Sequence, residues 1–463
     1  MKISLIIPTY NRKRTFETGL QYALNQKLSS NVSLEIIVID DGSTDNTRDI
    51  VIKYQKDYAN LLYFYKPRTS KSSRSAARNL GITKSTGDII SFLDSGMLVP
   101  NNYVQLIYEA YKNSSSPEKM ILLHYVYGLY RDLDDKAQKF IDKITPENID
   151  DLQTEIKNEP NWQDRRALIF QAVDNDSKQL PGAWVLGWGG VLTVSKTLLG
   201  KSGNFDETFL RWGGEDSELS YRLHTMGGLF NFITDSYAIH LPHKMESSPE
   251  KMKSSMENRL KIHRKFGNFE TELYTVCQSL HYNQIFLHFK FLSSSVEFPE
   301  SYSEQDFCFL NDILETENKS ALIGVDNFVL ANKFNVTDYF VSNKSGYDKL
   351  VNELQNRKVH YLLGISTLFD DNFFDTLIIT DFIRHLSPRM QYNLVKESYR
   401  ISEKVYMLYT PNYISPLKYN LNMGWSNIED LEKIGDKLEL QFVKVKSSST
   451  TEVYNLVLNY NWY

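Results

Sequence analysis

The sequence predicts an α/β protein with a mostly parallel central sheet and helices on both its faces, followed by a second, Rossmann-like α/β domain. Three observations predict it. Short apolar runs alternate with helical patterns from Ile3 to Leu93, polar clusters close those runs at Thr9, Asp40 and Asp94, and the alternation restarts near Phe298. In such sheets ligands bind beyond the carboxyl ends of the strands, which is where the polar clusters fall.

Ile3 to Ile7 reads as a buried strand that breaks at Pro8-Thr9-Tyr10-Asn11, and Arg14 to Asn25 carries Phe16, Leu20, Ala23 and Leu24 at helical spacing. Leu34 to Ile39 is a second strand running into Asp40-Asp41-Gly42-Ser43. Ser43 or Thr44 is the expected N-cap of the helix Thr47 to Tyr58. Leu61 to Tyr65, the helix Ser75 to Thr83, and Ile89 to Leu93 complete the alternation. Residues 113–180 are polar and charged, and are expected to form a helix-rich insertion or acceptor-side region. Strand character returns at Val191 to Val194 and Leu229 to Thr234, and Glu246 to Phe266 reads as a lysine-rich closing helix. Beyond it, Ala321–Gly324, Tyr339–Val341, His360–Leu363, Thr376–Thr380 and Lys404–Tyr409 are candidate strands. A chain of 463 residues exceeds one ordinary core, so the expected units are 1–270 and 298–463, joined by a linker at 271–297.

Composition narrows the function classes. Apolar residues at 41% and charged residues at 24% fit a soluble globular protein, and a net charge of −5 disfavours wholesale nucleic-acid binding. Cys277 and Cys308 lack metal-type spacing and read as buried thiols in a reducing cytoplasm. The apolar run at the N-terminus is broken by Pro8, and no window reaches the ~18 apolar residues of a membrane span, so a cytoplasmic protein is expected.

Candidate site residues follow from the strand ends. Asp41 either accepts the N3–H of a uracil ring, with backbone near Thr9 holding the base, or simply forms the turn before Gly42. Asp94 lies where a divalent cation would bridge protein and diphosphate, and His240 and His243, three apart after an apolar strand, could supply nitrogen ligands to manganese; magnesium would favour oxygen. Glu215 and Asp216 open a helical run after Gly213-Gly214. They are either caps stabilised by the helix dipole or an acid–base pair. Trp188 and Trp212, each beside a Gly-Gly pair, offer flat apolar faces for sugar rings.

The segments Pro8-Thr9-Tyr10-Asn11-Arg12, Val38 to Asp45, Ala77-Arg78-Asn79-Leu80-Gly81-Ile82 and Phe92-Leu93-Asp94-Ser95 resemble family-2 glycosyltransferases of the GT-A fold. Gly187-Trp188-Gly189-Gly190, Gly203 to Glu207 and Trp212-Gly213-Gly214-Glu215-Asp216 resemble the subgroup shared with galactosyl- and N-acetylgalactosaminyltransferases. The resemblance covers roughly residues 1–266. It implies an inverting hexosyltransferase using a UDP-sugar, with a glycan or protein side chain as acceptor. Pro8, Thr9, Asn11, Asp41, Arg78, Asp94 and Ser95 are then donor-side residues, Arg78 having an alternative role as a plain helix residue. Trp188, Gly189, Trp212 and Gly214 are acceptor-side residues, Asp216 is the general base and Glu215 holds an acceptor hydroxyl. The family's acidic motif ends in a second Asp, but here Gly96 stands in its place. Either Asp94 and the histidines bind the cation, or metal dependence is weakened.

The segments Leu322-Ile323-Gly324-Val325-Asp326, Phe374 to Leu386 and Tyr409-Thr410-Pro411 resemble a class I methyltransferase that lacks most of its Gly-rich turn. The expectation is a degenerate accessory domain that binds acceptor or mediates homo-oligomer assembly. The alternatives are a bifunctional glycosyltransferase and methyltransferase, and a non-catalytic sugar-binding scaffold.

Overall fold

A computed structural model describes residues 1–458 apart from 130, 146, 245–248, 296–301, 316–317, 326–327, 355, 413–425 and 449. It divides into two compact units, Met1–Asn258 and Arg259–Tyr463. In the first unit the chain runs β1 (Lys2–Thr9), α1 (Lys13–Leu24), β2 (Ser33–Asp40), α2 (Thr47–Gln55), β3 (Leu61–Tyr65), α3 (Arg74–Lys84), β4 (Ile89–Leu93), β5 (Met97–Leu98), α4 (Tyr103–Asn113), β6 (Met120–Tyr127), β7 (Val191–Ser195) and β8 (Leu229–His240). These strands form an eight-stranded sheet in the order β3-β2-β1-β4-β7-β6-β8-β5. β1 to β4 are mutually parallel and β6 pairs parallel with β8, while β7 and the short β5 run against their neighbours.

The apolar runs dictate this sheet. Ile3, Leu5, Ile7, Ile36 and Val38 pack on one face with Phe16 and Leu20 of α1 and with Val104 and Ile107 of α4, forming one core. Strands buried on both sides need no polar alternation, which is why their sequences read as mostly apolar runs, with Ser4, Glu35 and Ser91 as buried exceptions.

β6 is a difference from the expected helix-rich insertion. All eight of its residues are buried, and it lies inside the sheet between β7 and β8. Its one polar ring, His124, is satisfied on both nitrogens by Ser236 Oγ and Thr193 Oγ1, each at 2.8 Å. Burial holds that imidazole neutral, with its pKa pushed down to about 3. The remainder of 113–180 is helical as expected, in short pieces such as Asp135–Ile141 and Ile149–Ile156. The α2 N-cap is Asn46 in the left-handed region, not Ser43 or Thr44, because those two are tied to Asn11.

In the second unit β9 (Ser320–Ile323), β10 (Asp338–Val341), β11 (Lys358–Tyr361), β12 (Phe374–Ile379), β13 (Ser402–Tyr409), β14 (Leu440–Ser447) and β15 (Glu452–Leu458) form a sheet in the order β11-β10-β9-β12-β13-β15-β14. The first five are parallel, while β15 runs antiparallel to both β13 and β14. Its core gathers Leu322, Tyr339, Val341, Ile378 and Leu408 with Phe307 and Leu310.

The division at Asn258 and Arg259 precedes the expected boundary, and the segment expected as a linker contains the end of the helix Phe269–Val276 and the helix Ser279–Ser295. Glu272, fully buried there, accepts the backbone N–H groups of Leu363, Ile365 and Ser366 at 2.6, 2.8 and 3.1 Å. Those bonds make residues after Arg259 part of the second unit's fold. Of the two thiols, Cys277 is buried and Cys308 is exposed, against the expectation for the latter. Asp326 and the start of the expected helix at Glu246 lie outside the described residues.

Candidate functional site

Because β1, β2 and β4 run parallel, the loops after Thr9, Asp40 and Leu93 leave one edge of the sheet together. There they border a cavity of about 420 Å³. The adjacent aspartates take opposite roles. Asp40 accepts the Ser43 N–H at 2.7 Å and the Tyr63 hydroxyl at 2.8 Å, closing the loop, whereas Asp41 lines the cavity. Asp41 is buried, with Lys66 Nζ at 2.9 Å on one carboxylate oxygen and Arg68 Nη1 at 2.8 Å on the other. Arg68 also lies 3.7 Å over the Tyr10 ring, forming a flat cationic wall beside it.

Asp94 follows β4 and also lines the cavity, and its backbone N–H donates to the Gly190 carbonyl at 2.9 Å. One of its oxygens accepts from Arg78 Nη2 at 3.0 Å, while Arg78 Nη1 donates to Glu215 Oε1 at 3.2 Å. Arg78 is 2% exposed and sits behind the cavity wall. Burial works against its charge, but Asp94, Glu215 and Asp216 outweigh that and raise its pKa. The buried guanidinium therefore joins Asp94 to Glu215.

Two successive glycines with positive φ, Gly213 and Gly214, turn the chain into the helix Glu215–Thr225, and place Glu215 and Asp216 in its first turn. Glu215 is buried and lines the cavity, and burial followed by the neighbouring Asp216 charge raises its pKa against the pull of Arg78 and Arg74. Asp216 is half-buried beside it. Its Oδ2 accepts the Gly189 N–H at 3.0 Å and its Oδ1 accepts the Ser217 N–H at 2.8 Å. A Cβ at Gly189 would stand 3.1 Å from the Asp216 Cβ and 3.2 Å from Arg78 Nη1, so a side chain there would crowd both groups.

The other expected residues fall in distinct places. Pro8, Thr9, Ser95 and Trp212 line the cavity, Trp212 being half exposed. Asn11 lies behind it, where its side chain accepts the Thr44 N–H at 2.8 Å and braces the Asp40–Ser43 loop. Trp188 stands away from the lining and stacks on the Arg166 guanidinium at 4.5 Å. Gly214 serves as the helix N-cap. The cavity also takes in Arg12, Arg74, Phe209 and Leu210, which sequence reading passed over. The two arginines carried a signal, since each stands at the start of a helix at the ligand edge of the sheet.

His240 and His243 line the cavity with ring centres 5.1 Å apart, and the pairing of Met97 with His240 brings this strand end beside Gly96. Burial, followed by His243, lowers the His240 pKa to about 4, leaving a neutral ring whose Nδ1 is buried without a partner. A neutral imidazole suits a metal, yet Asp94 has one oxygen on Arg78. Among the described residues no three His, Cys, Asp or Glu side chains gather as a set able to hold a metal ion. Asp94, His240 and His243 thus border one cavity without forming a ligand set.

Residues 4–117 match the family model described as "Glycosyl transferase family 2", and residues 173–244 match that described as "N-terminal domain of galactosyltransferase". Similar curated proteins include validoxylamine A glucosyltransferase of Streptomyces hygroscopicus subsp. limoneus, 31% identical over 52% of this chain and 52% of that one. Chondroitin synthase of Escherichia coli is 32% identical over 51% of this chain and 34% of that one. The chain thus spans about half or less of the length of these relatives. Among solved structures, residues 1–349 of S. aureus TarS align with a TM-score of 0.41 at 18% identity, covering 68% of this chain and 80% of that one. In the first unit, an eight-stranded α/β sheet, residues 4–117 therefore resemble glycosyl transferase family 2, and residues 173–244 resemble the N-terminal domain of galactosyltransferase.

Proposed function

We propose that this chain is an inverting glycosyltransferase that moves a sugar from a UDP-sugar to a hydroxyl of a glycan or protein side chain. The observation that carries the reading is the convergence of Asp41, Asp94 and Glu215, from three separate segments, on one cavity with Asp216 adjoining it. The relatives named for glucosyl transfer and chondroitin synthesis support sugar transfer. Asp41, held by Lys66 and Arg68, accepts the N3–H of uracil and recognises the base. The acceptor hydroxyl, deprotonated by a carboxylate of the Glu215–Asp216 pair, attacks the anomeric carbon in line as the bond to the diphosphate breaks. No step is assigned to a divalent cation, because the candidate ligands do not gather.

Asp216 is the base by resemblance, and the Gly189 N–H orients its carboxylate. A second reading has its own observation: Glu215 rather than Asp216 lines the cavity, and its raised pKa makes it the stronger proton acceptor. Release of UDP from UDP-sugars, compared among wild type, Asp216→Asn and Glu215→Gln, separates the two. Loss of about 10²–10⁴-fold in turnover identifies the base. Unchanged turnover in both variants would refute the transferase mechanism.

The second unit acts in this reading as a methyltransferase-like accessory without methyl transfer. Five parallel strands continued by an antiparallel pair support the resemblance. At Gly324, a Cβ would stand 2.2 Å from the Phe382 Cβ, so the chain's own ring already occupies the close approach beside that turn. Absence of S-adenosylmethionine binding in calorimetry is the expected result, and measurable binding would favour the bifunctional alternative. Among the described residues no helix is long and apolar enough to cross a membrane.

A further inference from the structure

The cationic side chains around the first unit's cavity fall into two groups. Lys66 and Arg68 are held by Asp41, Arg78 by Asp94 and Glu215, and Arg211 by Glu257. Arg12 and Arg74 line the same cavity, are exposed, and have no ion pair among the described residues. Arg12 is the N-cap of α1 and Arg74 the first residue of α3, so both project from the amino ends of helices, where the backbone dipole favours an anion. The charge of Arg74 is felt at Glu215 and that of Arg12 at His240. The wall of the same cavity holds Thr9, whose hydroxyl is buried without a partner among the described residues, and the unpartnered Nδ1 of His240. Buried polar atoms left open at a cavity are completed by water or by a ligand.

We propose that Arg12 and Arg74 clamp the diphosphate of a nucleoside diphosphate donor, supplying from this chain's own side chains positive charge at the leaving group. The inference rests on the nucleotide-sugar reading above and adds the residues that hold the diphosphate. Guanidinium suits this position because its fork of donors meets phosphate oxygens in pairs and its charge never titrates. It follows that nucleoside diphosphate affinity needs no divalent cation and falls steeply with salt.

The test is calorimetric titration of the full chain with UDP and with uridine, in EDTA and in manganese. Wild type binds UDP in EDTA, Arg12→Ala and Arg74→Ala each weaken it about tenfold or more, and the double variant weakens it further. Uridine affinity stays within about threefold in every variant, which also reports that the pocket remains folded. Arg74→Lys retains part of the affinity. If UDP binding requires manganese and both alanine variants match wild type, the clamp is refuted while the donor reading survives. If neither UDP nor uridine binds in either condition, the donor reading fails and the clamp with it.

Discussion

Arg166→Met tests a deeply buried charge of the first unit. Arg166 is 1% exposed, and its guanidinium donates to Asp164 at 2.7 Å, to the His124 carbonyl at 2.8 Å and to the Leu186 carbonyl at 3.1 Å while lying on Trp188. Methionine fills much of the volume and removes every donor. Asp164, itself buried, would keep the N–H groups of Val126 and Arg166, at 3.0 and 2.9 Å, and the His124 and Leu186 carbonyls would each lose one donor. Breaking a buried pair in this way costs about 3–5 kcal/mol, because one charge remains uncompensated. For a unit of this size each kcal/mol lowers Tm by about 2–4 °C, so a fall of about 6–20 °C is expected. Thermal unfolding followed by circular dichroism measures it. Asp164→Asn combined with Arg166→Met should recover more than half of the loss, since the orphaned charge is gone. A single-variant shift under about 3 °C, or a double variant no better than the single, would refute the reasoning.

Glu272→Gln addresses pH dependence in the second unit. Burial, opposed by three backbone N–H groups and reinforced by Glu397, pushes the Glu272 pKa up to about 7 from 4.5. Between those values the folded chain holds a proton that the unfolded chain has released. Stability should therefore fall as pH rises from about 4.5 to about 7, by on the order of 3 kcal/mol, and level off above. Denaturant unfolding at several pH values checks this, and a slope that persists in the Gln variant would exclude Glu272 as its source. Gly214→Ala should cost about 1–2 kcal/mol and lower turnover, because Gly214 has φ +89° and a Cβ there would stand 2.9 Å from the Asn258 Cβ. Wild-type stability and turnover in that variant would show that the entry to the helix Glu215–Thr225 tolerates a side chain.

Elements whose pattern is local were legible before the fold was known. β1, β2, β3 and β4 are predominantly apolar runs, and each ends where a polar loop begins, so both strands and ligand edge could be read directly. β6 was missed because Met120–Tyr127 is embedded among polar segments, and its His124 looks polar until Ser236 and Thr193, far along the chain, satisfy it. The pair β14 and β15 was missed for another reason. β14 alternates partly exposed residues, as edge strands do, and gave no apolar run to find.

At the site, the carboxylates were legible and their partners were not. Asp41, Asp94, Glu215 and Asp216 could be chosen by their place at strand ends and a helix start, which chain order alone specifies. That Arg78 joins Asp94 to Glu215, that Gly189 orients Asp216, and that Trp188 meets Arg166 instead of the cavity are consequences of packing between segments distant in sequence. The same holds for the histidines, whose spacing suggested ligands but whose strand brings them to the cavity without completing a set. Sequence by itself determined the alternation of strands and helices, the edge at which the loops converge and the acidic residues there, because periodicity and turn chemistry act over a few neighbouring residues. Only the tertiary structure decided which cation each carboxylate meets and which arginines have no ion pair beside the cavity among the described residues, because Coulomb energy and burial depend on distances across the sheet edge that no local pattern encodes.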